Sequence, residues 1–430
     1  MVWLIICIGL VVIALTGVPI GVGLALTGLS ILHFVAGGGE MLAVTSVWSV
    51  FTDFTISAVP LFIFMGEILL VSGVSTRIYS AVGPFFSGVP GKLLHTNIVV
   101  CTLFGAVCGA STSTAAAVGS VAYPELRKRG YDPVVVIATL AAGGTLGLLI
   151  PPSLSLLLYG ATQGVSIGRL FLAGVLPGLM LALMFMLVIL VHGIRQPGIA
   201  PADTERLSWR ARFASLLRIW PFGFLVFSVL GTMYMGLATA TEAAALGVVA
   251  SILVGFFWGN LRFRTLFTSF LTATRVFAAI GIVMMGALVL AQSLTVLGLP
   301  QQVMSGIATL GVSKYWVLLI VCVVYFILGC FFDGISLLLM TLPIVYPLMM
   351  GAGFDPVWTG VIVTILIEIG MLTPPVGMNL FVLTAITQNE VRLGQAALAT
   401  IPYWLMMLVG ILLLAMFPSI ALFLPNLVYG

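Results

Sequence analysis

Two long apolar stretches are each interrupted midway by a double proline, at Leu149-Ile150-Pro151-Pro152-Ser153 and at Leu372-Thr373-Pro374-Pro375-Val376-Gly377. Two consecutive prolines remove two backbone donors and clash with the preceding turn, so neither stretch can run as one continuous helix. The surroundings make such a break costly. The 430 residues are 61% hydrophobic and 7% charged, and a mean hydropathy of +1.28 is too apolar for a water-soluble protein of this length. The chain reads as an integral membrane protein, all-α and polytopic. At membrane depth an unwound backbone is tolerated only where it lines a protein cavity or binds something.

A crossing of about 30 Å takes roughly 20 helical residues, so the chain has room for about a dozen crossings with short loops. So few charges exclude a large soluble domain. With 16 Lys plus Arg against 12 Asp plus Glu, the net +4 reflects loop bias; no basic cluster interleaved with aromatics points to nucleic acid. The five cysteines, Cys7, Cys101, Cys108, Cys322 and Cys330, sit in apolar runs without C-x-x-C spacing and read as packing residues. No Lys or Arg precedes Arg77 and no small-residue cleavage site follows the first apolar run, so that run reads as a retained helix, not a signal peptide.

Basic residues gather at Arg77 with Lys92, at Arg127-Lys128-Arg129, from Arg195 to Arg218, and at Arg262, Arg264 and Arg275. The positive-inside rule places these and Arg392 on the cytoplasmic side, and Arg169 and Lys314 opposite. Three apolar spans before Arg77, near 2 to 17, 18 to 36 and 57 to 73, then put the N-terminus outside, and the C-terminus also falls on the periplasmic side. The stretch from His192 to Trp220, with Pro197, Pro201, Asp203, Glu205 and five arginines, is the one long polar connection and reads as a cytoplasmic linker.

The halves on either side superpose at a constant offset of 223 residues, the distance from Pro151 to Pro374. Tyr123-Pro124 then falls on Tyr346-Pro347, Gly130-Tyr131-Asp132-Pro133 on Gly353-Phe354-Asp355-Pro356, and Gly147 on Gly370. This is an internal repeat, and the charge topology makes it an inverted one. Each half predicts a re-entrant hairpin too short to cross twice. The first runs near Lys92 to Tyr123 with its tip at Gly109-Ala110-Ser111-Thr112-Ser113-Thr114; the second runs near Lys314 to Pro347 with its tip at Asp333-Gly334-Ile335-Ser336. A broken segment follows each. Paired, Gly/Pro-interrupted segments in corresponding positions are the best sequence pointer to a secondary transporter's midplane binding site.

A sodium ion takes about five or six oxygens, which unwound carbonyls and hydroxyls supply without burying a formal charge. Two sodium sites are expected, one per repeat, each between a hairpin tip and a break. The first comprises Gly109, Ser111, Thr112, Ser113, Pro151 and Ser153; the second Asp333, Gly334, Ser336, Thr373, Pro374 and Gly377. Half-helix N-termini at these breaks suit an anionic substrate, for which Ser113, Thr114, Pro152, Ser153, Ser336, Pro375 and Asn379 are candidates. The plain structural alternative is that small and hydroxyl residues let helices pack closely, as at Gly105-x-x-x-Gly109.

Glu67, Glu242, Asp333 and Glu368 lie at or near membrane depth, where an ionisable group is a functional candidate by default. Asp333 is the strongest for ion contact; Glu67 and Glu242 read equally well as capping or helix-pairing residues, and Glu368 as a proton carrier or loop-orienting group. Enzyme readings fail on spacing. His33, His95 and His192 form no H-E-x-x-H pair, and there is no P-loop.

With these residues in view, the chain resembles the large membrane subunit of a TRAP (tripartite ATP-independent periplasmic) transporter over essentially its whole length. Its most specific parts are Val59-Pro60-Leu61-Phe62-Ile63-Phe64-Met65-Gly66-Glu67, Pro124-Glu125-Leu126-Arg127-Lys128-Arg129-Gly130-Tyr131-Asp132, Ile150-Pro151-Pro152-Ser153, Phe171-Leu172-Ala173-Gly174-Val175-Leu176-Pro177-Gly178, Thr241-Glu242-Ala243-Ala244-Ala245 and Thr373-Pro374-Pro375-Val376-Gly377 with Asn379-Leu380-Phe381. The resemblance implies an elevator-type fold in the bacterial inner membrane. Scaffold helices and first arm would occupy 1–91, the first transport repeat 92–194, the linker 195–220, second scaffold helices and arm 221–313, and the second transport repeat 314–430. It further implies sodium coupling, a small four-helix membrane subunit, a periplasmic binding protein, and an organic acid substrate such as a C4-dicarboxylate, another carboxylate or a sialic acid. A stand-alone sodium/carboxylate symporter, needing no binding protein, shares the hairpins and Pro-Pro breaks.

Overall fold

A computed structural model of the chain describes residues 2–200, 208–310, 313–388 and 390–429, and among these every regular element is helical. The first half holds α1 (Val2–Thr16), α2 (Ile20–Phe34), α3 (Glu40–Phe51), α4 (Ala58–Val71), α5 (Val74–Val82), α6 (Leu93–Cys108), α7 (Ser111–Lys128), α8 (Pro133–Leu149), α9 (Leu154–Gln163) and α10 (Ile167–Arg195). The second holds α11 (Trp209–Leu217), α12 (Trp220–Val226), α13 (Thr232–Tyr234), α14 (Ala240–Phe257), α15 (Phe263–Val296), α16 (Leu299–Leu310), α17 (Lys314–Gly329), α18 (Gly334–Gly351), α19 (Pro356–Leu372), α20 (Met378–Ile386), α21 (Leu393–Met416) and α22 (Ser419–Tyr429). Among the described residues, seven segments are long and apolar enough to cross a membrane, or eight counting a pair bent by 49° around Trp220. Shorter apolar helices, among them α2, α3, α6, α17, α19 and α22, accompany them.

Local chemistry sets the hairpins. α6 has 16 residues, about 24 Å at 1.5 Å per residue, short of the roughly 30 Å of hydrocarbon. Gly109 then takes a left-handed conformation, φ +65°, which ends α6, and α7 returns along it. α17, also 16 residues, ends without a left-handed residue, and the chain turns back into α18 at Asp333, which caps that helix. Beyond each hairpin a Gly-aromatic-Asp-Pro sequence starts the broken helix. Gly130 and Gly353 both sit at φ +82°; Asp132 accepts hydrogen bonds from the backbone N–H of Val134 and Val135 at 2.8 and 3.2 Å. Asp355 does the same for Val357 and Trp358 at 2.8 and 2.9 Å, and proline takes the first helical position, where no donor is needed. Pro133–Leu149 and Pro356–Leu372 therefore bound equivalent helices.

The N-terminal part contains one element more than the spans expected from sequence. Besides α1, α2 and α4 it holds α3, because Gly37, Gly38 and Gly39 all adopt positive φ and turn the chain, while His33 Nδ1 pairs with Glu40 Oε1 at 3.1 Å across the turn. α3 is only 12 residues long, about 18 Å. The linker is partly helical: Ser215 donates to the Ala81 carbonyl at 3.0 Å and Arg212 to Ser87 at 3.1 Å, docking α11 on α5 and the turn after it. Pro201, Asp203 and Glu205 lie outside the described residues.

On one face, the turn before α21 is pinned to the first hairpin. Tyr123 donates to Glu390 Oε2 at 2.5 Å and Arg127 Nε to Oε1 at 2.6 Å. Tyr123, then Arg127, hold the Glu390 carboxyl below the usual carboxylate range. A depressed folded pKa contributes stability above the unfolded value near about 4.3, and that contribution disappears as pH falls through the folded value. Below about pH 5, the wild-type thermal midpoint should therefore fall more steeply than that of Glu390→Gln. Parallel curves would show that the ionised Glu390 carboxylate adds nothing to the stability of the fold.

Candidate functional site

In both halves the unwound break is tied to its own hairpin tip by one backbone hydrogen bond. Leu154 N donates to Gly109 O at 3.0 Å, and Val376 N to Cys330 O at 3.1 Å. The approach at the first tip is close enough to need glycine: a Cβ on Gly109 would lie 2.8 Å from Pro152 O. Both double prolines contain a cis peptide bond. Gly109, Ser111, Pro151, Pro152 and Ser153 are thereby brought to one place, as are Thr373, Pro374 and the end of α17. Ser111, Thr114, Ser153, Ser336 and Thr373 are buried; Thr112 and Ser113 are half-buried, and Pro374 and Pro375 are exposed.

Several of these residues also hold local structure. Ser153 caps α9, accepting from Leu156 N at 3.2 Å, and its hydroxyl donates to Leu148 O across the break. Asp333 caps α18 by accepting from Ser336 N at 3.1 Å, and Gly334 lies against Ile367 and Met371 of α19. Thr373 donates within its helix to Ile369 O or Gly370 O, at 3.1 and 3.2 Å. Gly377, at φ +49°, begins α20.

Asn379, a substrate candidate two residues past Gly377, does not keep its side chain at the second break. α20 leaves its own break and packs along α7 and α8 of the other half. Asn379 Nδ2 consequently donates to Ser111 Oγ at 2.7 Å, with Ala141 O a second acceptor at 3.3 Å. Its Oδ1 is buried without a hydrogen-bond partner, as is Thr114 Oγ1 one turn along α7. Buried polar atoms without partners are rare in native proteins, and each calls for an explanation. A reciprocal contact joins α9 to α19, where the hydroxyls of Ser155 and Thr364 meet at 3.1 Å. Neither crossing was visible in the sequence, which gives no register between distant helices.

The acidic candidates separate. Glu242 and Thr239 form a capping box at the start of α14, with Thr239 N donating to Glu242 Oε2 at 2.8 Å; the T-x-x-E spacing is its sequence signal. Glu67 is half-buried on α4. Glu368 is fully buried, and neither of its oxygens has a hydrogen-bond partner. Arg169, at the far end of α10 from the linker, donates to Asn426 at 3.2 Å. Among the described residues no cluster of three His, Cys, Asp or Glu could hold a metal ion. The donors at the tips and breaks are hydroxyl, amide and carbonyl oxygens, with one carboxylate, a set that fits a hard monovalent cation better than a transition metal.

The family profile described as "Tripartite ATP-independent periplasmic transporter, DctM component" matches residues 7–420. The chain belongs to this family. It is 34% identical over 407 residues, 94% of this chain and 93% of the relative, to the C4-dicarboxylate TRAP transporter large permease protein DctM of Pseudomonas aeruginosa. It is 32% identical over 375 residues, 86% of each chain, to the ectoine TRAP transporter large permease protein TeaC of Halomonas elongata. The TRAP relatives are transporter permeases, not enzymes. Among solved structures, the fold is shared with the YdaH transporter of Alcanivorax borkumensis, at a TM-score of 0.60 and 16% identity, covering 90% of this chain and 88% of that one. This TRAP large permease is thus a multi-pass helical membrane protein whose hairpin tips meet its helix breaks.

Proposed function

We propose that this TRAP permease imports a small organic acid by symport, coupled to the downhill entry of sodium, with one ion between tip and break in each half. The observation that carries the reading is that Asn379 Oδ1 and Thr114 Oγ1 are each buried without a hydrogen-bond partner, the first on a side chain that holds Ser111 of the first tip and the second one turn further along α7. Oxygens that point at nothing, at the end of broken helices, fit a site that a cation or substrate completes. The second site would use Asp333, Ser336, Thr373 and Gly377. Ser113, Pro152, Pro375 and Asn379 would face the substrate between the two ions.

Residues 92–194 and 314–430 would form the moving body of an elevator, and 1–91 and 221–313 the scaffold. In this reading the chain sits in the inner membrane with both termini periplasmic, beside a small membrane subunit, and receives substrate from a periplasmic binding protein. The names of the relatives run from C4-dicarboxylate to ectoine, so selectivity within the organic acids would reside largely in the binding protein.

The test is thermal stability of the purified chain in sodium against choline. An ion that binds only the folded state stabilises it by RT ln(1 + [L]/Kd), about 2.7 kcal/mol at a hundredfold excess over Kd. Ser111→Ala and Thr373→Ala should each blunt the sodium-specific rise, and together abolish most of it. No difference between sodium and choline would overturn the sodium reading.

A further inference from the structure

A cavity of about 730 Å³ opens beside the second break, away from the crossing at Asn379. It lies between α17 and α21, both of which pack on α19. It is lined by Phe326 and Trp404, whose ring centroids are 5.8 Å apart, by Cys330, Thr373 and Pro374, and by Arg392 at the start of α21. The walls between are almost wholly apolar, supplied by Ala397, Leu398 and Ile401.

Such a cavity does not suit a small, polar organic acid, which would lose its hydration against aliphatic walls with one cation to compensate. It suits an amphiphile. From Arg392 to Trp404 the groove follows twelve helical steps, about 18 Å, close to the half-thickness of a hydrocarbon core of about 30 Å. Arg392 is exposed at the start of α21, and among the described residues no carboxylate pairs with it; nearby Glu390 is engaged by Arg127 and Tyr123. Basic pockets between transmembrane helices are recognised sites for anionic lipid headgroups.

We propose that this groove is a binding site for one anionic phospholipid, its phosphate on Arg392 and an acyl chain along α21 as far as Phe326 and Trp404. The chain's end then rests against Cys330 and the Thr373-Pro374 break, so the lipid buttresses the second tip and break from the membrane side. The inference depends on the protein's embedding in a membrane and not on sodium coupling.

Two substitutions separate headgroup from tail. Arg392→Gln removes the charge; Gly394→Phe fills the groove, because Gly394 lines it and a Cβ there meets nothing within 4 Å. The full-length chain, purified in mild detergent, is exchanged into phosphatidylglycerol or phosphatidylcholine, and retained lipid is counted by native mass spectrometry. Wild type should retain phosphatidylglycerol about fivefold over phosphatidylcholine, the preference one arginine confers near an anionic headgroup. Arg392→Gln should lose that preference but still retain lipid, and Gly394→Phe should retain neither lipid while keeping the wild-type thermal midpoint in detergent alone. Equal retention of the two lipids by wild type, or unchanged retention by Gly394→Phe, would overturn the site. So would loss of a co-purifying membrane protein, in place of lipid, from the Gly394→Phe preparation.

Discussion

Asn379→Ala should reduce sodium-dependent uptake at least about tenfold and remove most of the sodium-specific thermal rise, while the protein still inserts and purifies. The side chain sits where the two halves cross, holding Ser111 Oγ at 2.7 Å with Ala141 O at 3.3 Å. Losing that donor frees a buried hydroxyl and a carbonyl at a structural cost of about 1–3 kcal/mol, which lowers the thermal midpoint without preventing folding. The functional loss should be larger, because Oδ1 is the atom left without a protein partner and Ser111 is no longer held in place. Asn379→Asp is the sharper variant. It keeps the shape and the free oxygen but cannot donate to Ser111 or Ala141, and it places a charge among neutral oxygens. Its uptake should fall at least as far as that of the alanine variant. Wild-type sodium response and uptake in Asn379→Ala would show that the α7–α20 crossing only holds helices together.

The parts of this fold that the sequence discloses are those written by residues acting on their own backbone. Pro151-Pro152 and Pro374-Pro375 end α8 and α19 where expected, and Gly130-Tyr131-Asp132-Pro133 and its partner set helix starts within one residue of the repeat offset. Gly109 and Asp333 mark the hairpin turns for equally local reasons, a left-handed conformation and a helix cap. What escaped depends on which helix meets which. Asn379 is two residues from its own break, yet its side chain bonds residues of the other half, because α20 docks on α7 and α8. Gly105 and Gly109 have the spacing of a packing pair, but they do different jobs: Gly105 meets Gly147, while Gly109 turns the tip. The groove at Arg392 is equally hidden, since it forms between helices far apart in the chain.

Gly286→Val should have the largest effect on folding of any single substitution considered, cutting the yield of monodisperse protein about tenfold or more. α15 is the longest helix, and its main partner is α2. A Cβ on Gly286 would fall 1.9 Å from Gly21 O, and one on Gly21 would fall 2.2 Å from Ile282 O. Both obstacles are backbone, so no rotamer change relieves them. In soluble cores overpacking typically costs about 1–3 kcal/mol, occasionally more; here the two helices must move apart bodily. Within a bilayer that separation is especially damaging, because lipid is as apolar as the side chains and close van der Waals contact between small residues is what draws helices together. Gly223→Val is the control. It makes the same change in helix propensity on α12, where a Cβ meets nothing within 4 Å, and should fold at close to the wild-type yield. Equal yields from both variants, read by size-exclusion chromatography of membrane extracts, would mean that α2 and α15 can separate freely and that their crossing does not hold this part of the protein together.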